Sequence, residues 1–134
     1  MMTDKELVEL AFTMLERSYV PYSHFPVGAA LECEDGTVFT GCNVENAAYG
    51  STICAERTAL VKAVSEGRRA FVRLAVVGNS EDYCWPCGAC RQMLYEFAPE
   101  LTVLVARKDH EFVRLPLHAL LPHGFGPRSL TGEK

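Results

Sequence analysis

The spacing of apolar residues predicts a helix and a β-hairpin, followed by alternating helices and strands. Residues 3–20 carry an apolar stripe with a period of 3.6 residues, and Pro21 ends this predicted helix. Two apolar runs, 27–33 and 38–44, flank an Asp35-Gly36 pair. Because Asp-Gly favours the tight turn between antiparallel strands, these two runs are predicted to form a hairpin.

In the second half of the chain, helical patterns of apolar residues alternate with the apolar runs typical of strands. The predicted elements are helix 54–66, strand 71–78, helix 87–97, strand 101–106, strand 112–115 and helix 117–121, followed by a glycine-rich tail, 123–127. Helix 54–66 is apolar on most sides, so we expect it to be largely buried. The order of elements predicts an α/β fold, a three-layer α/β/α sandwich around a mixed sheet of about five strands. The length fits a single domain over 1–134.

Composition and charge narrow the function classes. The chain is 49% hydrophobic and 22% charged, as in a globular protein, and its net charge of −4 argues against a nucleic-acid binder. No apolar run reaches transmembrane length, and the N-terminus does not resemble a signal peptide. We therefore expect a cytoplasmic protein that does not associate with membranes. In that compartment the six cysteines are expected to be thiols and metal ligands rather than disulfides.

Two short segments carry the candidate chemistry. Cys54-Ala55-Glu56-Arg57 opens one predicted helix, and Cys87 and Cys90 lie in a Pro-Cys-x-x-Cys segment that opens another. This arrangement matches a zinc deaminase signature, with Cys54 where other members have histidine. Three thiolates from Cys54, Cys87 and Cys90 would bind one Zn²⁺ and leave a fourth position for water. Glu56 would carry protons beside that position, and Arg57 would donate hydrogen bonds to the sulfurs and offset their negative charge.

Other functions compete for the same cysteines. Cys84 creates an alternative Cys84-x-x-Cys87 ligand spacing, and a closed site of four thiolates would be structural rather than catalytic. We favour Cys87 with Cys90 because Pro86 directly precedes them and Cys84 falls before the predicted helix. The Trp-Pro-Cys-x-x-Cys segment also resembles a thiol–disulfide oxidoreductase site.

Four motifs together resemble the short, homotetrameric cytidine deaminases. They are Pro21-Tyr22-Ser23-x-Phe25-Pro26-Val27-Gly28-Ala29-Ala30, Gly41-Cys42-Asn43-Val44-Glu45-Asn46, Cys54-Ala55-Glu56-Arg57-Thr58-Ala59 and Pro86-Cys87-Gly88-x-Cys90-Arg91-Gln92. The resemblance covers essentially the whole chain. It implies a hydrolase of a cyclic amidine C–N bond, which converts free cytidine and 2′-deoxycytidine to uridine and 2′-deoxyuridine with release of ammonia, in pyrimidine salvage.

The same resemblance assigns the remaining site residues. It implies one zinc ion per subunit, Glu56 as the catalytic residue, and Arg57 and Gln92 behind the metal ligands. The substrate-binding residues that it implies are Phe25 as an aromatic wall, Asn43 and Glu45 at the ribose 3′-hydroxyl, the Ala55 backbone N–H at the base edge, and Tyr49 and Phe125 from neighbouring subunits. The active sites would then be shared within a homotetramer. From spacing alone, Phe25 could equally be a core residue.

Related deaminases are the nearest alternative. An enzyme acting on an aminated pyrimidine antibiotic would share the zinc motifs, as would one acting on single-stranded nucleic acid. The acidic net charge disfavours a polymeric substrate. A carboxylate at Glu45 would repel a phosphodiester beside the 3′ position, which favours a free nucleoside.

Overall fold

The structure is a computed structural model that describes residues 2–132, so the predicted domain limits at 1 and 134 lie outside the described residues. The helices are α1 (Asp4–Thr13), α2 (Ala55–Ser65), α3 (Gly88–Phe97), α4 (Leu117–Leu120) and α5 (Pro127–Thr131), and the strands are β1 (Val27–Cys33), β2 (Val38–Cys42), β3 (Phe71–Gly78), β4 (Thr102–Ala106) and β5 (Phe112–Pro116). Within the described part of the chain, no helix is long and apolar enough to cross a membrane.

The strands form one mixed sheet in the order β2-β1-β3-β4-β5. Strands β3 and β4 are parallel and are joined through α3, whereas the other three pairs of neighbouring strands in this order are antiparallel. One face of the sheet packs against α1 through a cluster that includes Leu7, Val77 and Leu104. The other face packs against α2, α3 and α4, in a cluster that includes Leu60 and Leu94. The predicted three-layer α/β/α sandwich with five strands is therefore confirmed.

Two glycines let helices approach the sheet closely. A β-carbon at Gly28 would lie 2.2 Å from the carbonyl oxygen of Ala11, and one at Gly41 would lie 2.3 Å from that of Ala55. Since real β-carbons do not make such contacts, any larger residue would push α1 or α2 outward. Gly41 thereby places the first turn of α2, which carries the candidate chemistry, directly against β2.

A network of charged side chains attaches α1 to the sheet. Arg73 on β3 donates to both carboxylate oxygens of Glu32 on β1, each at 2.7 Å, and to Asp4 at 2.8 Å. Asp4 also pairs with Arg114. Glu32 is only 1% exposed, and its charge is compensated by the bidentate guanidinium. The pairs link the start of α1 to strands β1, β3 and β5.

Three predicted elements differ from the structure. The predicted helix 3–20 is too long: the α-helix ends at Thr13, and one 3₁₀ turn follows over Met14–Arg17. The chain then leaves the helix because the backbone N–H and C=O of Tyr19 bond to Asn43 and Glu45. Helix α2 buries one face only, with Val61 48% exposed, so the expectation of a largely buried helix is wrong. The tail, predicted as a loop, continues into α5.

Candidate active site

The three predicted metal ligands meet where two helices begin. Cys54 is the N-cap of α2, Cys87 is the N-cap of α3, and Cys90 lies in the first turn of α3. The sulfur of Cys87 is 3.8 Å from that of Cys54 and 3.3 Å from that of Cys90. All three sulfurs lie within 4.8 Å of one another. Helix N-termini carry partial positive charge, which favours thiolates at these positions.

The sulfur geometry fits a zinc ion. Tetrahedral zinc with Zn–S bonds of about 2.3 Å places its sulfurs about 3.8 Å apart, close to the spacing that Cys54 and Cys87 already show. Among the described residues, this trio forms a potential metal-binding group that does not include Cys84. Burial also raises the pKa of the Cys84 thiol to about 12. The chain supplies three ligands, which leaves room for water.

Hydrogen bonds between the thiols shift the pKa values of Cys54 and Cys90 in opposite directions. The hydrogen bond with the Cys90 thiol, assisted by Arg57, lowers the pKa of Cys54 to about 5. The same bond and burial raise the pKa of Cys90. The Nη2 atom of Arg57 lies 3.4 Å from the Cys54 sulfur and 3.3 Å from the carbonyl oxygen of Thr52. Arg57 therefore lies beside the Cys54 sulfur, and its predicted role of offsetting thiolate charge stays a prediction.

Glu56 is the buried acid of the site. Its side chain is 3% exposed although it lies in the first turn of a helix, where glutamates usually face solvent. Burial raises the pKa of Glu56 to about 7. A carboxyl group with a pKa near neutrality can both accept and release a proton at physiological pH, as a proton shuttle must.

A cavity of about 190 Å³ opens beside Glu56 and the thiols of Cys54 and Cys87. It is lined by Phe25, Val27, Asn43, Thr52, Cys54, Ala55, Glu56, Cys84, Trp85 and Cys87. Phe25 is 40% exposed and faces this cavity, so the reading of it as a core residue is wrong. Aromatic and apolar walls around a few convergent polar groups are typical of sites for small planar ligands.

The polar residues Asn43 and Glu45 hold the loop that carries Phe25. The Asn43 amide donates to the Phe25 carbonyl oxygen and accepts from the Val27 N–H, both at 2.9 Å. One amide hydrogen and one oxygen lone pair of Asn43 remain for a ligand. Glu45 accepts from the backbone N–H groups of Tyr22 at 3.0 Å and Ser23 at 3.1 Å. A ligand that binds to Asn43 and Glu45 would therefore also affect the position of the loop that carries Phe25.

A second cavity adjoins the first. It has a volume of about 310 Å³ and is lined by Tyr22, Ser23, Glu45, Tyr49 and Thr52. Thr52 lines both cavities, and Glu45 lines the second cavity rather than the one beside the thiols. Tyr49 is 74% exposed and contacts the Tyr22 ring edge-on at 5.8 Å. Its predicted contribution to a neighbouring subunit stays a prediction.

The tail that carries Phe125 is anchored to α3. Gln92 donates through its side-chain amide to the Phe125 carbonyl oxygen at 2.7 Å, and β-carbons at Gly124 or Gly126 would lie within about 3 Å of the Tyr95 ring. The Phe125 ring is 58% exposed and does not line the thiol cavity of its own chain. Gln92 thus holds the tail, and its predicted place behind the metal ligands stays a prediction.

The structure brings Cys54, Glu56, Cys87 and Cys90 together as the motifs predicted. Several cavity-lining residues escaped the residue-by-residue assignment, among them Val27 in the thiol cavity and Tyr22 and Ser23 in the second cavity. All three lie in the Pro21–Ala30 motif, so the resemblance of that motif is the signal that could have pointed to them.

Comparison with known proteins agrees with the geometry. A family model described as the cytidine and deoxycytidylate deaminase zinc-binding region matches residues 1–106. A cytidine deaminase from Sporosarcina psychrophila is 50% identical over 117 residues, which cover 87% of this chain and 86% of that protein. A crystal structure of cytidine deaminase from Burkholderia pseudomallei is similar with a TM-score of 0.90 and 46% identity, and the match covers 92% of this chain and 100% of that one.

A more distant relative has another named substrate. A blasticidin-S deaminase from Bacillus cereus is 30% identical over 127 residues, which cover 89% of each protein. The family model and the more similar relatives together confirm the resemblance predicted from the four motifs. This chain belongs to the cytidine and deoxycytidylate deaminase family defined by that zinc-binding region.

Proposed function

We propose that this chain is a zinc-dependent cytidine deaminase. It hydrolyses free cytidine and 2′-deoxycytidine to uridine and 2′-deoxyuridine with release of ammonia, as one catalytic domain acting in cytoplasmic pyrimidine salvage. The observation that carries the proposal is that Glu56, only 3% exposed, lies beside three convergent thiols and lines a cavity with an aromatic wall. A buried carboxyl group of this kind is unfavourable for folding and is retained where chemistry needs it.

The chain's own residues supply the proton transfers and the metal-binding groups. Cys54, Cys87 and Cys90 hold the metal, and bound zinc supplies Lewis acidity that makes water nucleophilic near neutral pH. Glu56 takes a proton from the attacking water and gives it to N3 of the base as the water oxygen bonds to C4. It then moves the remaining proton of that hydroxyl to the amino nitrogen, so the C4–N bond breaks, ammonia leaves and a C4=O bond forms. Arg57 keeps the thiolate charge from accumulating beside the reacting carbon.

Substrate binding divides between the two ends of the nucleoside. Phe25 packs against the pyrimidine, and the Ala55 N–H at the start of α2 donates to the base edge, since the first amides of a helix lack internal partners. Asn43 and Glu45 bind the ribose 3′-hydroxyl. The lining of the two cavities includes the carboxylates of Glu56 and Glu45 but no lysine or arginine, which favours a neutral nucleoside over a phosphorylated one.

We further propose a homotetramer with shared active sites. Phe125 and Tyr49 are large aromatic side chains that are more than half exposed, and each lies on a segment that other contacts hold in place. Exposed aromatic groups on ordered segments are typical of interfaces. Phe125 of one subunit covers the pyrimidine bound in the next, and Tyr49 contributes beside it.

The decisive experiment measures zinc content and ammonia release on the same purified sample. One zinc per chain together with stoichiometric uridine and ammonia from cytidine supports the proposal. Zinc without turnover would favour a structural metal site, and a metal-independent, reducible Cys87–Cys90 disulfide would favour a redox enzyme. Blasticidin S, offered as a second substrate, should be turned over far less efficiently than cytidine. A preference for blasticidin S would refute the nucleoside assignment.

Subunit mixing tests the shared site. Inactive Glu56→Gln subunits and Phe125→Ala subunits are combined, exchange is verified by mass spectrometry, and cytidine turnover is measured. Sites that pair an intact Glu56 with an intact Phe125 should restore activity above that of either parent. An active monomer in sedimentation, or no gain after verified exchange, would refute sharing.

A further inference from the structure

The Glu45 carboxylate is held from one side by the loop before β1. One oxygen accepts from the backbone N–H groups of Tyr22 and Ser23, and the other accepts from the Ser23 hydroxyl. The hydroxyl contact is the largest of the influences that lower the pKa of Glu45. Glu45 therefore stays ionised, and the direction in which its remaining lone pairs point is set by these contacts.

Ser23 uses its hydroxyl in two directions. Its only proton goes to Glu45, so the oxygen is left as an acceptor, and the Phe25 backbone N–H donates to it at 3.0 Å. The Ser23 side chain thus joins the Glu45 carboxylate, which lines the second cavity, to the backbone of Phe25, which lines the first. The Phe25 carbonyl oxygen is bound in turn by the Asn43 amide.

The loop conformation depends on this arrangement. His24, between the two bridged residues, has φ of 56°, in the left-handed region that non-glycine residues seldom adopt. A strained turn of this kind persists only where surrounding contacts hold it. The hydroxyl of Ser23 spans the turn, and Asn43 closes it from the other side. Ser23 itself is exposed, so its hydroxyl contributes little to the packed core.

We propose that Ser23 is a positioning residue that fixes the sugar-binding carboxylate of Glu45 relative to the base-binding ring of Phe25. The inference rests on the proposed function, because it takes Glu45 as the partner of the 3′-hydroxyl. Ser23 touches neither the metal ligands nor Glu56 and acts through Glu45 and Phe25. Its removal should therefore weaken recognition of the sugar more than it slows the chemical step.

The test compares two substrates that differ by one hydroxyl. Zinc-loaded wild type and Ser23→Ala are assayed with 2′-deoxycytidine and with 2′,3′-dideoxycytidine, which has no 3′-hydroxyl. Because hydrogen bonds to charged groups are among the stronger ones, kcat/KM for 2′-deoxycytidine should fall by about 10-fold, mainly through KM. The fall with 2′,3′-dideoxycytidine should be clearly smaller. Equal losses on both substrates, or a loss confined to kcat, would overturn the inference.

Two further variants separate positioning from general loop damage. Ser23→Thr keeps the hydroxyl and should restore the wild-type ratio between the two substrates. Ser18→Ala removes a hydroxyl from the same segment, one that reaches the Val27 carbonyl oxygen at 3.2 Å and does not contact Glu45, so it should leave that ratio unchanged. A changed ratio in Ser18→Ala, or no rescue by Ser23→Thr, would show that the loop as a whole is responsible.

A double-mutant cycle identifies Glu45 as the intermediary. In a Glu45→Ala background the Ser23→Ala change should lose most of its effect on 2′-deoxycytidine, since no carboxylate remains to be positioned. Additive losses would overturn the inference. Wild-type protein that fails to deaminate 2′-deoxycytidine at all would instead overturn the proposed function, so the two failures are distinguishable.

Discussion

Replacing Glu56 by glutamine separates its chemical role from its structural role. The side chain is 3% exposed, and glutamine has almost the same shape, so Glu56→Gln should keep the fold and the zinc. Removing a positioned proton shuttle typically lowers turnover by about 10²–10⁴-fold. Glu66→Gln is the matched control, because Glu66 is an exposed glutamate at the other end of α2. Cytidine turnover and zinc content are measured for both variants and the wild type.

The same substitution should change stability in a pH-dependent way once zinc is removed. Burial raises the pKa of Glu56 from 4.5 to about 7. Between these values the folded chain keeps a proton that the unfolded chain has lost, so wild-type stability falls as pH rises through this window. The shift corresponds to about 3 kcal/mol, fully lost above pH 7. Glu56→Gln lacks this penalty and should be more stable than wild type at pH 8 in urea unfolding.

Three results would each contradict a part of this reasoning. Wild-type turnover in a zinc-loaded Glu56→Gln protein would show that Glu56 is not the proton shuttle. If zinc-free wild type and zinc-free Glu56→Gln have the same urea midpoint as each other at pH 5 and again at pH 8, the carboxyl group is not held in an unfavourable buried position. A loss of zinc from Glu56→Gln would mean that the carboxylate supports the metal rather than the proton transfers.

Three other substitutions test neighbouring parts of the structure. Arg57→Ala removes the cation beside the Cys54 sulfur and should lower zinc affinity or kcat/KM by about 10–100-fold; unchanged metal titration and kinetics would contradict the charge-offset role. Cys84→Ser should keep one zinc per chain in metal analysis, whereas loss of zinc would make Cys84 a ligand. Arg73→Ala leaves the buried Glu32 carboxylate unpaired and should lower the unfolding free energy by about 3–5 kcal/mol in urea titrations. Asp109→Asn, which breaks an exposed ion pair, is its control and should change that free energy by less than about 1 kcal/mol.

Much of the architecture follows from local sequence signals. Apolar runs at 71–78 and 101–106 predict buried strands, and the structure has β3 and β4 within one residue of those limits. Gly67, with φ of 90°, follows α2 where the sequence indicated a stop. Such signals act between residues a few positions apart, so they can be recognised without knowledge of the fold.

Long-range contacts account for what the sequence pattern missed. The apolar stripe continues past Thr13, yet the helix ends early because the Tyr19 backbone pairs with residues 43 and 45. The tail is ordered because it lies on Tyr95, about 30 residues earlier in the chain. Sequence periodicity is recognised over a window shorter than these separations. Tertiary hydrogen bonds override the weak local preference of a segment for helix or loop.

The candidate site likewise has a part that the sequence predicts and a part that depends on the tertiary fold. The identities of the thiols, of Glu56 and of Arg57 could be predicted from the chain, because zinc chemistry requires particular residue types near helix starts. Their function as a unit depends on folding, which brings sulfurs 33 residues apart in the chain to within 3.8 Å and buries Glu56 enough to raise its pKa. The hydrogen bonds that link Glu45 through Ser23 to Phe25 could not be predicted from the motifs, because the sequence allows each of these polar atoms several hydrogen-bond partners. Only packing of the loop against residues 43–45 selects one of them.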